Sequence, residues 1–176
     1  MCGIAGIIHR DGPGDIGSEM TRMLQSMKHR GPDSTGFALY GPPDDLLVMR
    51  IKLADPNEER DFGWGERLER FGHRFQSECD SEIIAVYLAQ KMDDGLSLET
   101  AMKQSLDELD GVFTYLVVTA DALGMAKDEM AAKPLVLYEA PGLVALASEE
   151  VAIRAVIGRE IDTYDPYERE VLVWHR

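Results

Sequence analysis

Long apolar runs and positive charge are both scarce in this sequence of 176 residues. No run approaches the ~18 apolar residues that a membrane-spanning helix needs. Lys and Arg number 18 against 32 Asp and Glu, which gives a formal net charge of −14. Nucleic-acid binding needs clustered basic residues, and the acidic residues here are scattered in the manner of a solvated surface. We therefore expect neither a membrane nor a nucleic acid as a partner.

Cysteine is also scarce, since the chain has only Cys2 and Cys79. Two cysteines so far apart in sequence do not indicate a disulfide framework, and a reducing cytoplasm is the expected location. His29 and His73 have no paired Cys, Asp or Glu at metal-ligand spacing. The sequence therefore predicts no metal site and no cofactor.

The apolar residues that are present make up 45% of the chain, which is typical of one globular domain over residues 1–176. Alternating and continuous apolar segments predict strands at Ile4–Ile8, Gly36–Tyr40, Leu46–Leu53, Val112–Thr119, Leu123–Lys127, Pro134–Tyr138, Leu143–Ala147 and Val171–Trp174. Helical spacing predicts a helix capped by Ser18 with a stripe at Met20, Met23, Leu24 and Met27, a short helix at 65–71, helices beginning at Asp80 or Ser81 and after Ser97, and a helix at Glu149–Ile157.

Strands grouped with strands and helices grouped with helices favour a layered α+β fold over alternating βαβ units. The segment Val112–Val118 is almost continuously apolar, which is typical of a strand covered on both faces. Two packed sheets with helices outside would account for it. The methionine stripe after Ser18 fits core packing better than a ligand-binding face.

Cys2 follows the initiator methionine in Met1-Cys2-Gly3-Ile4-Ala5-Gly6. Removal of a methionine that precedes a small residue would leave a cysteine with both a thiol and a free α-amino group. Because the amine titrates near ~7.7–8.0 and the thiol near ~8.5, the amine can take the thiol proton without any histidine. Taken alone, the residue would be better explained as a small buried hydrophobe at the start of a strand.

Further motifs follow this start in order along the chain. They are the segment 29–36 (HRGPDSTG), Asp80-Ser81-Glu82, the segment 109–113 (LDGVF), Lys133-Pro134-Leu135 and Ala147-Ser148-Glu149. Together with the Met-Cys-Gly start they resemble the class II glutamine amidotransferase domain, a group of N-terminal nucleophile hydrolases. Within this family, the overall sequence pattern is similar to that of glutamate-synthase-related subunits of the N-methylglutamate synthase type, which are separate chains that serve a partner synthase.

The resemblance implies a four-layer αββα sandwich and hydrolysis of the glutamine side-chain amide to glutamate and ammonia. It implies that Cys2 is the catalytic nucleophile and that Asp80 receives the α-ammonium group of the substrate glutamine, although Asp80 also suits a plain helix N-cap. Arg30 would help to shape the site around the nucleophile, or would be a structural arginine of its loop. The implied partners are glutamine and a synthase subunit that receives the ammonia.

Two motifs of the resembled family are missing between the first loop and Asp80. One is an Arg-x-Ala-Thr segment whose arginine grips the substrate carboxylate, and the other is an Asn-Gly pair that forms the oxyanion hole. The only asparagine, Asn57, is followed by Glu58. The interval is also short and contains an aperiodic stretch, so we expect an internal deletion within about residues 55–74.

This deletion leaves two functions open. The chain is either a glutaminase with weakened or lost activity, or a non-catalytic amidotransferase-like module that binds a synthase partner. Missing strands would also leave unpaired sheet edges, which favour self-association into a homo-oligomer.

Overall fold

The fold of residues 3–30 and 80–176 is described by a computed structural model. The strands are β1 Ala5–His9, β2 Thr114–Val118, β3 Ala122–Lys127, β4 Val136–Ala140, β5 Leu143–Ala147 and β6 Val171–His175. The helices are α1 Ile16–Ser26, α2 Asp80–Asp93, α3 Leu98–Glu108 and α4 Glu150–Arg154.

The six strands form two antiparallel sheets of three strands each in this part of the chain. The first sheet has the order β1-β5-β4, with Ala5 opposite Ala147 and Val136 opposite the same residue on the other side. The second sheet has the order β2-β3-β6, with Met125 opposite both Leu116 and Leu172. The central strands are therefore β5 in the first sheet and β3 in the second, and each is paired along both of its edges.

The two sheets pack face to face through large apolar side chains. This inner cluster consists of Leu123, Met125, Leu135, Leu137, Val144, Leu146 and Trp174, all buried, with Ile4, Ile8, Leu116 and Leu172 packed against it. Gly6 of β1 allows the close approach, because a Cβ atom there would lie 2.9 Å from Cδ1 of Leu116. Alternation along the strands places this set on one face of each sheet.

Helices cover the outer face of each sheet. The helices α1 and α4 pack on the first sheet through Met20, Met23 and Ile153, against small strand residues such as Ala145 and Ala147. We call this combination the first half. The helices α2 and α3 pack on the second sheet through Tyr87, Leu88 and Met102, against Ala122 and Ala126. We call this combination the second half, and the four layers give the αββα order that the sequence predicts.

Most predicted elements of the described residues are confirmed within a few positions. Ser97 caps α3 as expected, since its side chain accepts a hydrogen bond from the Thr100 amide. The cap of α1 is Asp15 and not Ser18, because the Asp15 carboxylate accepts the hydrogen bond that Ser18 N–H donates. The last helix is shorter than predicted and ends at Arg154.

The prediction for Val112–Val118 is wrong in one respect. Within this segment β2 is only partly buried, whereas all six residues of the neighbouring β3 are buried. The reason is position, since β3 is central and β2 lies at a sheet edge among the described residues. The predicted strands at 36–40 and 46–53, the short helix at 65–71 and the expected deletion lie outside the described residues.

Candidate active site

Ile4, which comes just before β1, is held by Ser148, which lies 144 residues further along the chain. The backbone N–H of Ile4 donates to Oγ of Ser148 at 2.9 Å, and the N–H of Ser148 donates to the carbonyl oxygen of Ile4 at 2.9 Å. Ser148 directly follows β5, the ladder partner of β1, and is 5% exposed. These two bonds continue the contact between β1 and β5 past Ala5 towards the amino end of the chain, so Ser148 holds both backbone polar groups of Ile4, two residues after Cys2.

Arg30 lies against the next residue towards the amino end. It follows α1 in a turn in which its N–H donates to the carbonyl oxygen of Met27 at 2.9 Å. A Cβ atom on Gly3 would lie 3.3 Å from both Cβ and Cδ of Arg30. Glycine at position 3 therefore allows the arginine side chain to pack closely on the backbone beside Cys2.

Glu149 is the ionic partner of this arginine. Its carboxylate accepts a hydrogen bond from Nε of Arg30, and its Oε2 lies 3.1 Å from Nε2 of His29. The side chains of Arg30 and Glu149 are 13% and 28% exposed. The hydrogen bond with Arg30, and to a smaller extent the one with His29, holds the pKa of the Glu149 carboxyl below its ordinary value. A carboxylate that stays ionised and a guanidinium therefore meet at the amino end of β1.

The structure describes the surroundings of one predicted site residue, Arg30. The structure places Arg30 against Gly3, the residue that follows Cys2 in the sequence. Asp80 begins α2, as predicted, but its side chain lies outside the described residues, and so does Cys2. The predicted roles of Cys2, Asp80 and Arg30 in catalysis and binding stay predictions.

Sequence reasoning missed the roles of Ser148 and Glu149. Both residues belong to the Ala147-Ser148-Glu149 motif, so the sequence signal was present, but it carried no information about contacts. The partners are 144 and 119 residues away along the chain, and no local pattern reports a pairing at that distance.

A separate cavity of about 270 Å³ lies along β1, between that strand and residues 118–123. His9 lines it and is paired with Glu19, with 2.8 Å between Nε2 and Oε2. Within residues 3–30 and 80–176, no three His, Cys, Asp or Glu side chains come together as a metal site would require. Among the same residues, no helix is long and apolar enough to span a membrane.

Comparison with known proteins gives this arrangement a family. A family model described as a glutamine amidotransferase domain matches residues 64–155, which is more than half of the chain. The putative glutamine amidotransferase of Methanothermobacter thermautotrophicus is 26% identical, with 97% of this chain and 99% of that protein covered. The glutamine amidotransferase-like protein GlxB of Rhizobium meliloti is 36% identical over 69% of this chain, which spans only 37% of that protein.

A solved structure shows the same fold. The glutamine phosphoribosylpyrophosphate amidotransferase of B. subtilis, complexed with ADP and GMP, superposes with a TM-score of 0.55 at 24% identity. The match covers 64% of this chain and 24% of that protein. Together with the family match, it shows that this chain is a glutamine amidotransferase domain of class II, with the N-terminal nucleophile hydrolase fold.

Proposed function

We propose that this chain hydrolyses the side-chain amide of glutamine to glutamate and ammonia, with Cys2 as nucleophile after removal of Met1. The observation that carries the proposal is the set of contacts that holds the backbone at the amino end of β1. Ser148 fixes the backbone of Ile4, and Arg30 packs on Gly3. A nucleophile at the second position needs such fixed neighbours, because catalytic attack depends on a held geometry.

The chemistry needs only the cysteine, glutamine and water. The Cys2 thiol gives its proton to its own α-amino group as the sulfur attacks the amide carbon. The tetrahedral intermediate then expels ammonia, which leaves with that proton, and a thioester remains. Water attacks the thioester, which releases glutamate and restores the thiol.

Asp80 and Arg30 supply binding and shape in this proposal. The Asp80 carboxylate would pair with the substrate α-ammonium group, which distinguishes glutamine from amides without an amino acid head. Arg30 would form the wall beside the nucleophile. No metal or cofactor enters the reaction.

The activity we propose is weaker than that of a complete domain. The alignment with the Methanothermobacter protein runs over 302 positions and covers both proteins almost from end to end, although this chain has 176 residues. Long gaps inside this chain would account for the difference, and the family match begins at residue 64, within the aperiodic stretch. Loss of one oxyanion donor costs about 10²–10³ in rate, so a shortened site without the Asn-Gly pair should be slow.

The proposed acceptor of the ammonia is a synthase domain or subunit. Amidophosphoribosyltransferase and glutamine–fructose-6-phosphate aminotransferase of Methanothermobacter thermautotrophicus are also similar, and this chain spans 44% and 34% of their lengths. Their remaining length supports the idea that a domain of this type works beside another one. We include a cytoplasmic location and self-association through open sheet edges in this proposal.

Ammonia release from glutamine tests the function. The purified full chain, Cys2→Ala and the control Cys79→Ser are compared, and intact mass determines whether Met1 has been removed. Slow release that disappears in Cys2→Ala and persists in Cys79→Ser supports the proposal. Retention of Met1, which blocks the amine, would overturn it.

A non-catalytic module is the second candidate, and the missing Asn-Gly pair favours it. In that case the chain and Cys2→Ala release ammonia at the same background rate. Binding of glutamine without turnover, measured by calorimetry, would then identify the module.

A further inference from the structure

We propose that Glu149 is a positioning residue, whose carboxylate holds the Arg30 side chain over Gly3 and so shapes the site beside Cys2. This inference rests on the proposed function and adds to it a residue with no role assigned by the sequence. The Glu149 carboxylate would act through Arg30 and would not itself touch the substrate.

The first argument is the orientation of the Glu149 side chain. Glu149 is the N-cap residue of α4, with extended backbone angles of φ −144° and ψ 139°. A short polar side chain at this position, such as that of Ser or Asp, ordinarily accepts a hydrogen bond from the first turn of the helix. Glu149 makes no such bond, and its carboxylate instead meets Arg30 and His29. The first turn of α4 therefore has no side-chain cap from Glu149, and the carboxylate is bonded to the segment that follows α1.

The second argument is the need of Arg30 for a partner. Its side chain is 13% exposed, and a guanidinium in a mostly buried place loses solvation unless a carboxylate compensates it. Glu149 is the only carboxylate paired with Arg30 among the described residues. Without Glu149 the arginine would turn towards solvent and would leave Gly3 uncovered.

The third argument is that Glu149 is joined to the other fixed contact of the site. Ser148, the preceding residue, holds both backbone groups of Ile4. One dipeptide therefore fixes the strand that follows Cys2 and, through Arg30, the wall beside it. Movement of Arg30 relative to that strand is restricted because both are held by the same two residues.

Glu150 is a matched control. It is the next residue, it pairs with Arg154 four positions further along α4, and it accepts a hydrogen bond from Thr163. Both contacts are made on the side of α4 and its following segment, and neither involves Gly3 or Arg30. Loss of this carboxylate removes an acid of the same type without touching the site.

A double-mutant cycle on glutamine hydrolysis tests the inference. We expect Glu149→Ala to lower kcat at least about tenfold with little change in KM, since a misplaced wall affects the reaction more than substrate capture. In the Arg30→Ala background the same change should alter kcat less than about twofold, because two residues that act through one contact are not additive. Glu149→Gln, which still accepts from Arg30, should keep more activity, and Glu150→Ala should match the wild type. Equal effects of Glu149→Ala and Glu150→Ala, or additive losses, would overturn the inference.

A second measurement tests the role of Glu149 even without turnover. It follows the alkylation of Cys2 by iodoacetamide as a function of pH in a Cys79→Ser background. In Glu149→Ala the Arg30 cation turns towards solvent and no longer stabilises the thiolate, so the midpoint of the alkylation curve should move to higher pH. Glu150→Ala should leave it in place. An unmoved midpoint in Glu149→Ala contradicts the inference, whereas absence of ammonia release from the wild type contradicts the proposed function alone. Should Glu149→Ala fail to fold in a thermal scan, Glu149→Gln replaces it in the alkylation measurement, where an Arg30 cation that stays in place without its carboxylate should move the midpoint to lower pH.

Discussion

Met23 in the first half and Met102 in the second half occupy equivalent places. Each is fully buried under a helix and belongs to a cluster with alanines of the sheet below, Ala145 and Ala147 in one case and Ala122 and Ala126 in the other. Long flexible side chains from a helix meet small residues on a strand in both halves. The two outer layers thus solve the packing of a helix on a sheet in the same way.

The polar contacts of the two halves differ. In the first half, the Arg30–Glu149 pair ties the segment after α1 to the start of α4, across 119 residues. In the second half, a buried neutral pair, Ser105 and Tyr115, lies 2.7 Å apart between α3 and β2. The comparison teaches that the packing scheme is shared, whereas these two contacts differ in kind: an ion pair lies at the amino end of β1 in the first half, and a neutral hydrogen bond joins α3 to β2 in the second.

The largest expected effect tests whether the two halves are packed equally well. Met23→Ala and Met102→Ala should each lower the free energy of unfolding by about 2–5 kcal/mol, because each leaves a cavity under a helix. Urea unfolding followed by circular dichroism measures the change. Met130→Ala is the control, since that side chain is 70% exposed and its removal should cost less than about 0.5 kcal/mol. A cost near the control value at either site would break the equivalence.

Alkaline pH should weaken the second half through Tyr115. Burial raises the pKa of the Tyr115 hydroxyl from 10 to about 12. The unfolded chain therefore loses this proton first, so the stabilisation is complete below pH 10 and is lost as the pH rises towards 12. The loss should reach about 2 kcal/mol by pH 12.

Tyr115→Phe should remove this part of the pH dependence, as measured by urea unfolding between pH 8 and about 12. Tyr167→Phe, at a side chain that is 77% exposed, should follow the wild-type curve. Burial raises the pKa of Tyr87 in the same half as well, so part of the alkaline loss should persist in Tyr115→Phe. A variant curve that coincides with that of the wild type would refute the assignment to Tyr115.

Addition of a single methyl group at Gly124 in the second half and at Gly17 in the first half should change stability in opposite directions. A Cβ atom at Gly124 would lie 2.6 Å from Sδ of Met102 and 2.9 Å from Cγ1 of Val117, so Gly124→Ala should cost about 1–3 kcal/mol. Gly17, in the first turn of α1, has open space around it, and Gly17→Ala should stabilise the chain by up to about 1 kcal/mol. Thermal unfolding of both variants should therefore show shifts of opposite sign, and shifts of the same sign would contradict the contact with Met102.

The smallest expected effect lies in the connection between the two sheets, from β3 to β4. Ala131 has φ +48°, a left-handed conformation that glycine adopts without strain. Ala131→Gly should raise the free energy of unfolding by about 0.5–1 kcal/mol, whereas Ala132→Gly, next to it, should lower it by a few tenths. Urea unfolding again supplies the measurement, and a loss of stability in Ala131→Gly would count against the strained turn.

The order of layers and most helix and strand positions could be predicted because they depend on near neighbours. The stripe of Met20, Met23 and Met27 has helical spacing, and all three side chains are buried in one cluster. The cap of α1 was misplaced because Asp15 and Ser18 both suit the position, and the choice depends on how the preceding turn approaches the helix. For the site, Arg30 could be found from its motif, but its ionic partner could not.

By itself, the sequence determined the family, through Met1-Cys2-Gly3 and the ordered motifs after it, and it determined the local elements, through spacing and caps. Only the tertiary structure decided that, among the described strands, β3 and not β2 is the buried central one, and that Ser148 and Glu149 meet Ile4 and Arg30. The physical reason is range. Helix periodicity and capping act within a few residues, whereas ladder pairing and ion pairing join groups that approach each other only after the whole chain has folded.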